Sequence, residues 1–271
     1  MTRDAWLAKH PYLNGMAGLQ SLMDTALAEG RIPTAEVPAW NPYLDDFYAG
    51  VPLLLSSRIQ VDFLPAEEAL ASLVRAIASK PLPEKLTSKT RDLLADLQSD
   101  ASLAHRAVAW LLAKDSFIPR HPDLVHYLGW AVMARYLHRV VAAFGQWREE
   151  ERWLRNYCPT CGASPGMAQL VGGDPSRLRL LSCSCCATRW RYRRTGCPFC
   201  DMEDDRRLAI LTIEGEDGLQ IEYCRNCGGY LKTYAGEGSE HLLLADWTSL
   251  HLDVIACDRG LKRYAGSLYQ L

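Results

Sequence analysis

Four pairs of cysteines, each with the spacing Cys-x-x-Cys, constrain the fold of this chain more than any other feature. The turn within each pair directs two sulfur atoms at one point, so two pairs supply the four thiolates of a tetrahedral zinc or iron site. Four pairs therefore predict two metal ions, with zinc and rubredoxin-like iron both open. The pairs are Cys158/Cys161, Cys183/Cys186, Cys197/Cys200 and Cys224/Cys227.

The spacing of the pairs indicates one small metal module used twice in tandem. There are 21 residues between the first two pairs and 23 between the last two, and the second set repeats the first with a shift of 39 to 41 residues. We expect neighbouring pairs to combine, although spacing alone leaves an interleaved arrangement open. The simplest role of each site is to stabilise a sheet too small to fold alone.

The uneven distribution of cysteine predicts the domain organisation. Residues 1–157 contain no cysteine and have apolar residues at helical spacing, whereas 158–271 contain all ten cysteines and short runs typical of strands. The predicted class is α+β, with a helical N-terminal domain followed by two tandem rubredoxin-like or zinc-ribbon modules of short antiparallel strands. The predicted domains are 1–157, 158–194, 195–245 and a C-terminal helix over 246–271.

Several elements can be placed from the pattern. Apolar residues predict a long helix that begins at Pro122 and could continue to Arg155, with Gly145 as its weak point. The last helix is expected to begin near Asp246 and to present Leu250, Val254, Ile255 and Leu261 on one face. Strands are predicted over 178–181, 189–193, 208–213, 219–223 and 230–234.

Two cysteines and seven histidines lie outside the four pairs. Cys185, next to Cys186, is interpreted as an exposed bystander, with a reactive thiol as the alternative. Cys257, on the last predicted helix, is interpreted as a small buried residue. The histidines are scattered without the spacing of a ligand pair, so His121, His126 and His138 are interpreted as helix-surface or core residues.

Charge and motifs argue against several classes of function. The net charge is −2, and residues 158–271 contain 13 basic and 14 acidic side chains, so the Arg-rich run 189–194 does not favour nucleic-acid binding. A closed four-cysteine site has no open position for hydrolysis. The N-terminus lacks the apolar run of a signal peptide, and other apolar runs are too short to span a bilayer. We therefore expect a cytoplasmic protein without membrane insertion.

The residues around the cysteines resemble the formate dehydrogenase accessory proteins of the FdhE type. The order and spacing of the pairs fit, as do the residues between and after them, and the similarity covers roughly 157–254. The matching residues outside the pairs are Pro159, Gly162, Pro165, Leu181, Trp190, Arg194, Glu222, Tyr230, Leu231, Lys232, Asp246, Ser249, Leu250, Leu252 and Asp253.

This resemblance implies a non-enzymatic maturation factor that contacts the catalytic subunit of formate dehydrogenase and binds iron through the eight paired cysteines. The interpretation allows a homodimer. A second hypothesis is a thiol–disulfide or sulfur-handling enzyme that uses a Cys-x-x-Cys pair, with Cys185 as supporting feature. A third is a zinc-ribbon nucleic-acid adaptor, for which salt-dependent binding would be required.

Overall fold

The computed structural model describes residues 1–173, 177–216, 218–267 and 269, and the chain divides into two compact units that interleave along the sequence. One unit is helical and consists mainly of Gly15–Tyr43 and Leu54–Trp147. The other contains all ten cysteines and consists of Met1–Asn14, Leu44–Leu53 and Arg148–Ser267. The four predicted domain ranges stay a prediction.

The α-helices are numbered in chain order through the described residues. They are α1 (Arg3–Lys9), α2 (Asn14–Glu29), α3 (Leu44–Ala49), α4 (Leu64–Ala78), α5 (Glu84–Ser99), α6 (Leu103–Leu111), α7 (Pro122–Tyr136), α8 (His138–Trp147), α9 (Glu240–Leu243) and α10 (Leu250–Asp258). None of them combines the length and the apolar character that crossing a bilayer requires.

The core of the helical unit is built around α7, which packs against α4 and α6. Leu128, Val132 and Met133 of α7 are fully buried. The prediction of one helix from Pro122 to Arg155 is wrong, because the helix breaks at Leu137 and α8 ends at Trp147. The two helices differ in burial: nine residues of α7 are buried, whereas α8 buries one stripe through Val140 and Phe144.

Within the described residues, six strands form one mixed sheet in the cysteine-containing unit. They are β1 (Pro165–Val171), β2 (Leu178–Cys183), β3 (Arg189–Tyr192), β4 (Leu208–Thr212), β5 (Leu219–Cys224) and β6 (Tyr230–Ala235), in the order β3-β2-β1-β6-β5-β4. Each module is an antiparallel three-stranded meander, and β1 pairs with β6 in parallel. The α+β class with two zinc-ribbon-like modules is thus confirmed, with the addition that the modules share a sheet.

Strand β1 is the element that the sequence pattern missed. Its residues from Pro165 to Leu170 are all buried, on both faces of the sheet. A strand covered on both faces lacks the alternation of apolar and polar residues by which half-buried strands are recognised. Even its polar residue, Gln169, is fully buried and donates to the carbonyl of Gly236.

The C-terminal helix has a different buried face from the one predicted. A 3₁₀ turn over Asp246–Ser249 precedes α10, and its three residues per turn shift the helical register. Val254 is 62% exposed, while Leu252 and Ala256 are buried. Helix α1 was also not predicted; its Trp6 is buried and donates its indole N–H to the carbonyl of Thr248 at 3.1 Å.

Candidate metal centres

The eight paired cysteines come together as two clusters of four sulfur atoms. The first contains Cys158, Cys161, Cys183 and Cys186, and the second contains Cys197, Cys200, Cys224 and Cys227. Within each cluster all sulfur atoms lie within 4.8 Å of one another. The structure therefore has the neighbouring arrangement of pairs and not the interleaved one.

The sulfur geometry fits a tetrahedral ion. Metal–sulfur bonds of about 2.3 Å place the sulfur atoms at the corners of a tetrahedron with edges of about 3.8 Å. In the first cluster Cys158 Sγ lies 3.5 Å from Cys186 Sγ, and Cys161 Sγ lies 3.5 Å from Cys183 Sγ. In the second, the distances from Cys197 to Cys227 and from Cys200 to Cys224 are both 3.8 Å. Each cluster could hold one ion with four protein ligands.

All four cysteine turns use the same backbone geometry. In each, the N–H of the first cysteine donates to the carbonyl five residues later, at 2.8 to 2.9 Å. The residue after the second cysteine has a positive φ, which closes the turn. These residues are Gly162 (φ 82°), Ala187 (φ 59°), Asp201 (φ 57°) and Gly228 (φ 72°).

The first cluster is enclosed by protein. Cys158, Cys183 and Cys186 are at most 4% exposed. Thr188 Oγ1 lies 3.1 Å from Cys186 Sγ and 2.7 Å from the hydroxyl of Thr160, so two buried threonines connect the turns that supply the sulfur atoms. Such contacts fix the orientation of metal ligands.

The second cluster is more open. Cys200 is exposed and Cys227 is partly exposed. The backbone N–H groups of Phe199 and Gly229 donate to Cys197 Sγ and Cys227 Sγ at 3.4 and 3.3 Å, which is the typical stabilisation of a metal-bound thiolate. The two clusters thus differ in solvent access despite their similar turns.

Crowding of the thiols changes their acidity. Burial raises the pKa of Cys158 well above its ordinary value. Burial also raises the pKa of Cys200, but hydrogen bonds from the Met202 backbone and the Asn226 side chain outweigh it and lower the pKa to about 7. Four neighbouring sulfur atoms cannot all ionise without a cation to balance them, so metal binding would release protons.

The two remaining cysteines are placed differently from the predictions. Cys185 is 7% exposed and not an exposed bystander, because it lies in the turn that Cys183 and Cys186 close around the first cluster. Cys257 is exposed and not buried, since the register of α10 turns it away from the face that contains Leu252 and Ala256.

The Arg-rich run lies on β3, where Trp190 and Tyr192 are buried and the arginines alternate with them. The arginines on the more exposed face have acidic partners. Arg191 Nη1 lies 2.7 Å from Glu151, and Arg193 pairs with Asp201. The charges of Arg191 and Arg193 are therefore locally neutralised.

Four of the non-cysteine residues that carry the resemblance form a buried ion network with Arg263: Tyr230, Lys232, Asp246 and Asp253. Lys232 on β6 is 1% exposed, and its Nζ lies 2.6 Å from Asp246 and 2.8 Å from Asp253. Arg263 binds the same two carboxylates at 2.8 and 2.7 Å, and the hydroxyl of Tyr230 donates to Asp253 at 2.6 Å. Two cations thus balance two anions between β6 and the C-terminal segment.

Two histidines and one glutamate form a cluster that sequence spacing did not reveal. His10, Glu216 and His251 place one ligand atom each within 4.8 Å of one another. The residues are far apart in the chain, so no local motif could have identified them. Of the histidines considered from sequence, His121 binds Asp92 and His138 is exposed, while His126 is partly buried.

Two four-cysteine modules joined into one sheet, in a chain that also contains a compact helical unit, define the class as a protein with tandem zinc-ribbon-like modules. The family profile "FdhE, central domain" matches residues 157–194. A protein FdhE homolog from Pseudomonas aeruginosa is 30% identical over an alignment of 241 residues that covers 85% of this chain and 66% of the relative. One from Stutzerimonas stutzeri is 35% identical over 170 residues, 60% of this chain and 53% of the relative.

The crystal structure of the FdhE protein from Pseudomonas aeruginosa has the same fold, with a TM-score of 0.61, 24% identity, and coverage of 93% of this chain and 86% of that one. This chain belongs to the FdhE family. The matched regions span about two thirds of the first curated relative and about half of the second.

Proposed function

We propose that this chain is a cytoplasmic maturation factor for formate dehydrogenase that binds the immature catalytic subunit and acts without catalysis of its own. Membership of the FdhE family supports the proposal. The observation that argues most for it is the pair of four-sulfur clusters, in which four protein ligands would leave no open position for a substrate.

The eight paired cysteines would hold two metal ions, iron or zinc. Zinc would only stabilise the modules, while iron in the same sulfur environment could exchange an electron with a client. The enclosed first cluster favours a structural role, and the exposed Cys200 makes the second cluster the better candidate for contact with the client.

Cysteine-to-serine variants test the proposal when three properties are measured separately. Cys158→Ser and Cys200→Ser should each remove one of the two cysteine-bound ions, as measured by metal analysis and the visible spectrum. Binding to the purified immature catalytic subunit and activation of formate dehydrogenase are then assayed, with Cys257→Ser as control. Full activation by metal-free protein would limit the metal to scaffolding, and absence of client binding by the wild type would contradict the proposal.

Exposure of Cys200 favours one alternative, thiol–disulfide chemistry at the second cluster. Titration of thiols in the purified protein distinguishes the two functions. Eight metal-protected thiols support the maturation factor, whereas a readily reducible disulfide between Cys197 and Cys200 supports the enzyme.

A further inference from the structure

A third group of possible metal ligands lies in the cysteine-containing unit, apart from the cysteines. His10 follows α1, Glu216 lies between β4 and β5, and His251 is in the first turn of α10. Glu216 Oε1 lies 2.5 Å from His10 Nε2 and 3.1 Å from His251 Nε2. The three side chains are 3%, 8% and 13% exposed, so water does not solvate the cluster freely.

The hydrogen bond of His10 Nδ1 determines the protonation of the other ring nitrogen, Nε2, which faces Glu216. His10 Nδ1 lies 3.0 Å from the carbonyl oxygen of Trp6, which can only accept a hydrogen bond, so Nδ1 carries a proton. In neutral imidazole, Nε2 then directs a lone pair at the carboxylate of Glu216. Two lone pairs at this distance repel unless a cation lies between them. A backbone carbonyl on the far nitrogen is also the usual arrangement of a metal-binding histidine.

A proton alone would leave the cluster incomplete. It would join His10 to Glu216 Oε1, but Glu216 Oε2 and His251 Nδ1 are buried without a hydrogen-bond partner among the described residues. His251 Nε2 contacts Glu216 Oε1 at 3.1 Å without the geometry of a hydrogen bond. Buried polar atoms are nearly always paired, so these atoms indicate a missing ligand. A metal ion would engage the carboxylate and His251 Nε2 together.

We propose that His10, Glu216 and His251 form a third metal site, which takes a divalent transition-metal ion such as Zn²⁺ or Fe²⁺. Two imidazoles and one carboxylate are the protein ligands of zinc and iron sites that keep open positions, whereas Ca²⁺ and Mg²⁺ prefer oxygen ligands alone. With metal–ligand bonds of about 2.0 to 2.2 Å, the His10–Glu216 pair would widen to roughly 3 Å. The rings of Trp6 and Tyr12 lie 3.9 and 5.7 Å from the His10 ring and cover the site.

Cobalt titration of the full chain tests the proposal. The two cysteine clusters are first filled with zinc, and Co²⁺ is then added while the visible spectrum and the bound metal are measured. The wild type should bind a third ion with weak d–d bands and no sulfur-to-cobalt charge-transfer band. His251→Gln and Glu216→Gln should lose this third ion and keep both zinc ions, while the exposed His241→Gln, a matched histidine control, should keep all three.

Folding is checked in each variant by circular dichroism and by the number of zinc-protected thiols. Thermal unfolding gives a second readout: added Zn²⁺ should raise the melting temperature of the zinc-loaded wild type, and the rise should be absent in His251→Gln. If the wild type binds no third ion and its melting temperature does not respond to metal, a proton holds this cluster and the proposal is wrong.

Discussion

The residue after the second cysteine of each turn shows how single positions shape the metal clusters. Gly162 and Gly228 adopt the positive φ without cost, because glycine has no Cβ to clash in this backbone conformation. Ala187 and Asp201 adopt the same conformation despite their side chains, which costs about 1–2 kcal/mol for a residue with a Cβ. The four turns thus share one backbone conformation because it directs the sulfur atoms at a common point, even where the residue type does not favour that conformation.

Gly229→Ala should damage the second cluster. A Cβ at Gly229 would lie 2.8 Å from the Tyr264 ring and 2.9 Å from Phe199, next to the N–H group that donates to Cys227. We expect a loss of about 1–3 kcal/mol in unfolding free energy, together with weaker retention of the second metal. Urea unfolding and metal analysis measure the two effects.

Gly145→Ala in α8 is the matched control, because its Cβ would meet no atom within 4 Å. This change should be neutral or stabilising by up to about 1 kcal/mol. Equal destabilisation by both substitutions would show that close packing around Gly229 is not the cause.

At the scale of elements, the two copies of the module are joined into one sheet through strands that hold different positions within the module. The first strand of one module, β1, pairs in parallel with the last strand of the other, β6. Repetition of this pairing would extend the sheet, but the outer edge of β3 is covered: Glu150 accepts the backbone N–H of Arg191 at 3.1 Å. This hydrogen bond occupies the outer edge of β3, so the sheet ends at that strand.

The buried ion network between β6 and the C-terminal segment should make stability depend on pH. Burial raises the pKa of Asp246, but the positive charges of Lys232 and Arg263 lower it by more, so its pKa lies below the ordinary value. The folded chain then binds fewer protons than the unfolded chain. Stability from Asp246 is fully present above its unfolded pKa of about 3.9 and is lost as the pH falls below it.

Asp246→Asn should cost about 3–5 kcal/mol at pH 7, because it leaves two buried cations with one anion. The difference from wild type should shrink below about pH 4. Urea unfolding across pH measures it, and the exposed Asp258→Asn serves as control with an effect within about 0.5 kcal/mol. A difference that is independent of pH would contradict this account.

The two metal clusters should release their ions at different rates. Because Cys200 is exposed while three ligands of the first cluster are buried, a chelator should remove the second ion first. Release followed with a coloured chelator should have two phases, of which Cys227→Ser abolishes the fast one and Cys257→Ser abolishes neither. If Cys161→Ser abolished the fast phase instead, that phase would belong to the first cluster and the assignment would be wrong.

At the scale of the whole molecule, two compact units have separate cores. The helical unit is organised around α7, and the other around the sheet and its clusters. Since small metal modules depend on their ions for folding, metal should stabilise one unit and not the other.

Complete chelation should therefore convert thermal unfolding into two transitions. Circular dichroism should show early loss of the strand signal, while most helical signal persists to higher temperature. Near-ultraviolet bands from the buried Trp153 and Trp190 should disappear in the first transition. A single cooperative transition in the metal-free protein would show that the units unfold together.

The sequence by itself predicted two four-cysteine clusters, since Cys-x-x-Cys is a local turn and its repeated spacing limits how pairs can combine. It also placed five of the six strands and identified the family through Trp190, Tyr230 and Lys232. It could not show β1, whose two buried faces hide the strand pattern, or the position of the helix break at Leu137.

Only the tertiary structure decided which sulfur atoms share a cluster, how the modules join, and that His10 meets Glu216 and His251. The physical reason is the same in each case. Short-range patterns record the preferences of neighbouring residues, whereas these arrangements depend on contacts between segments that are 22 to 206 residues apart in the chain.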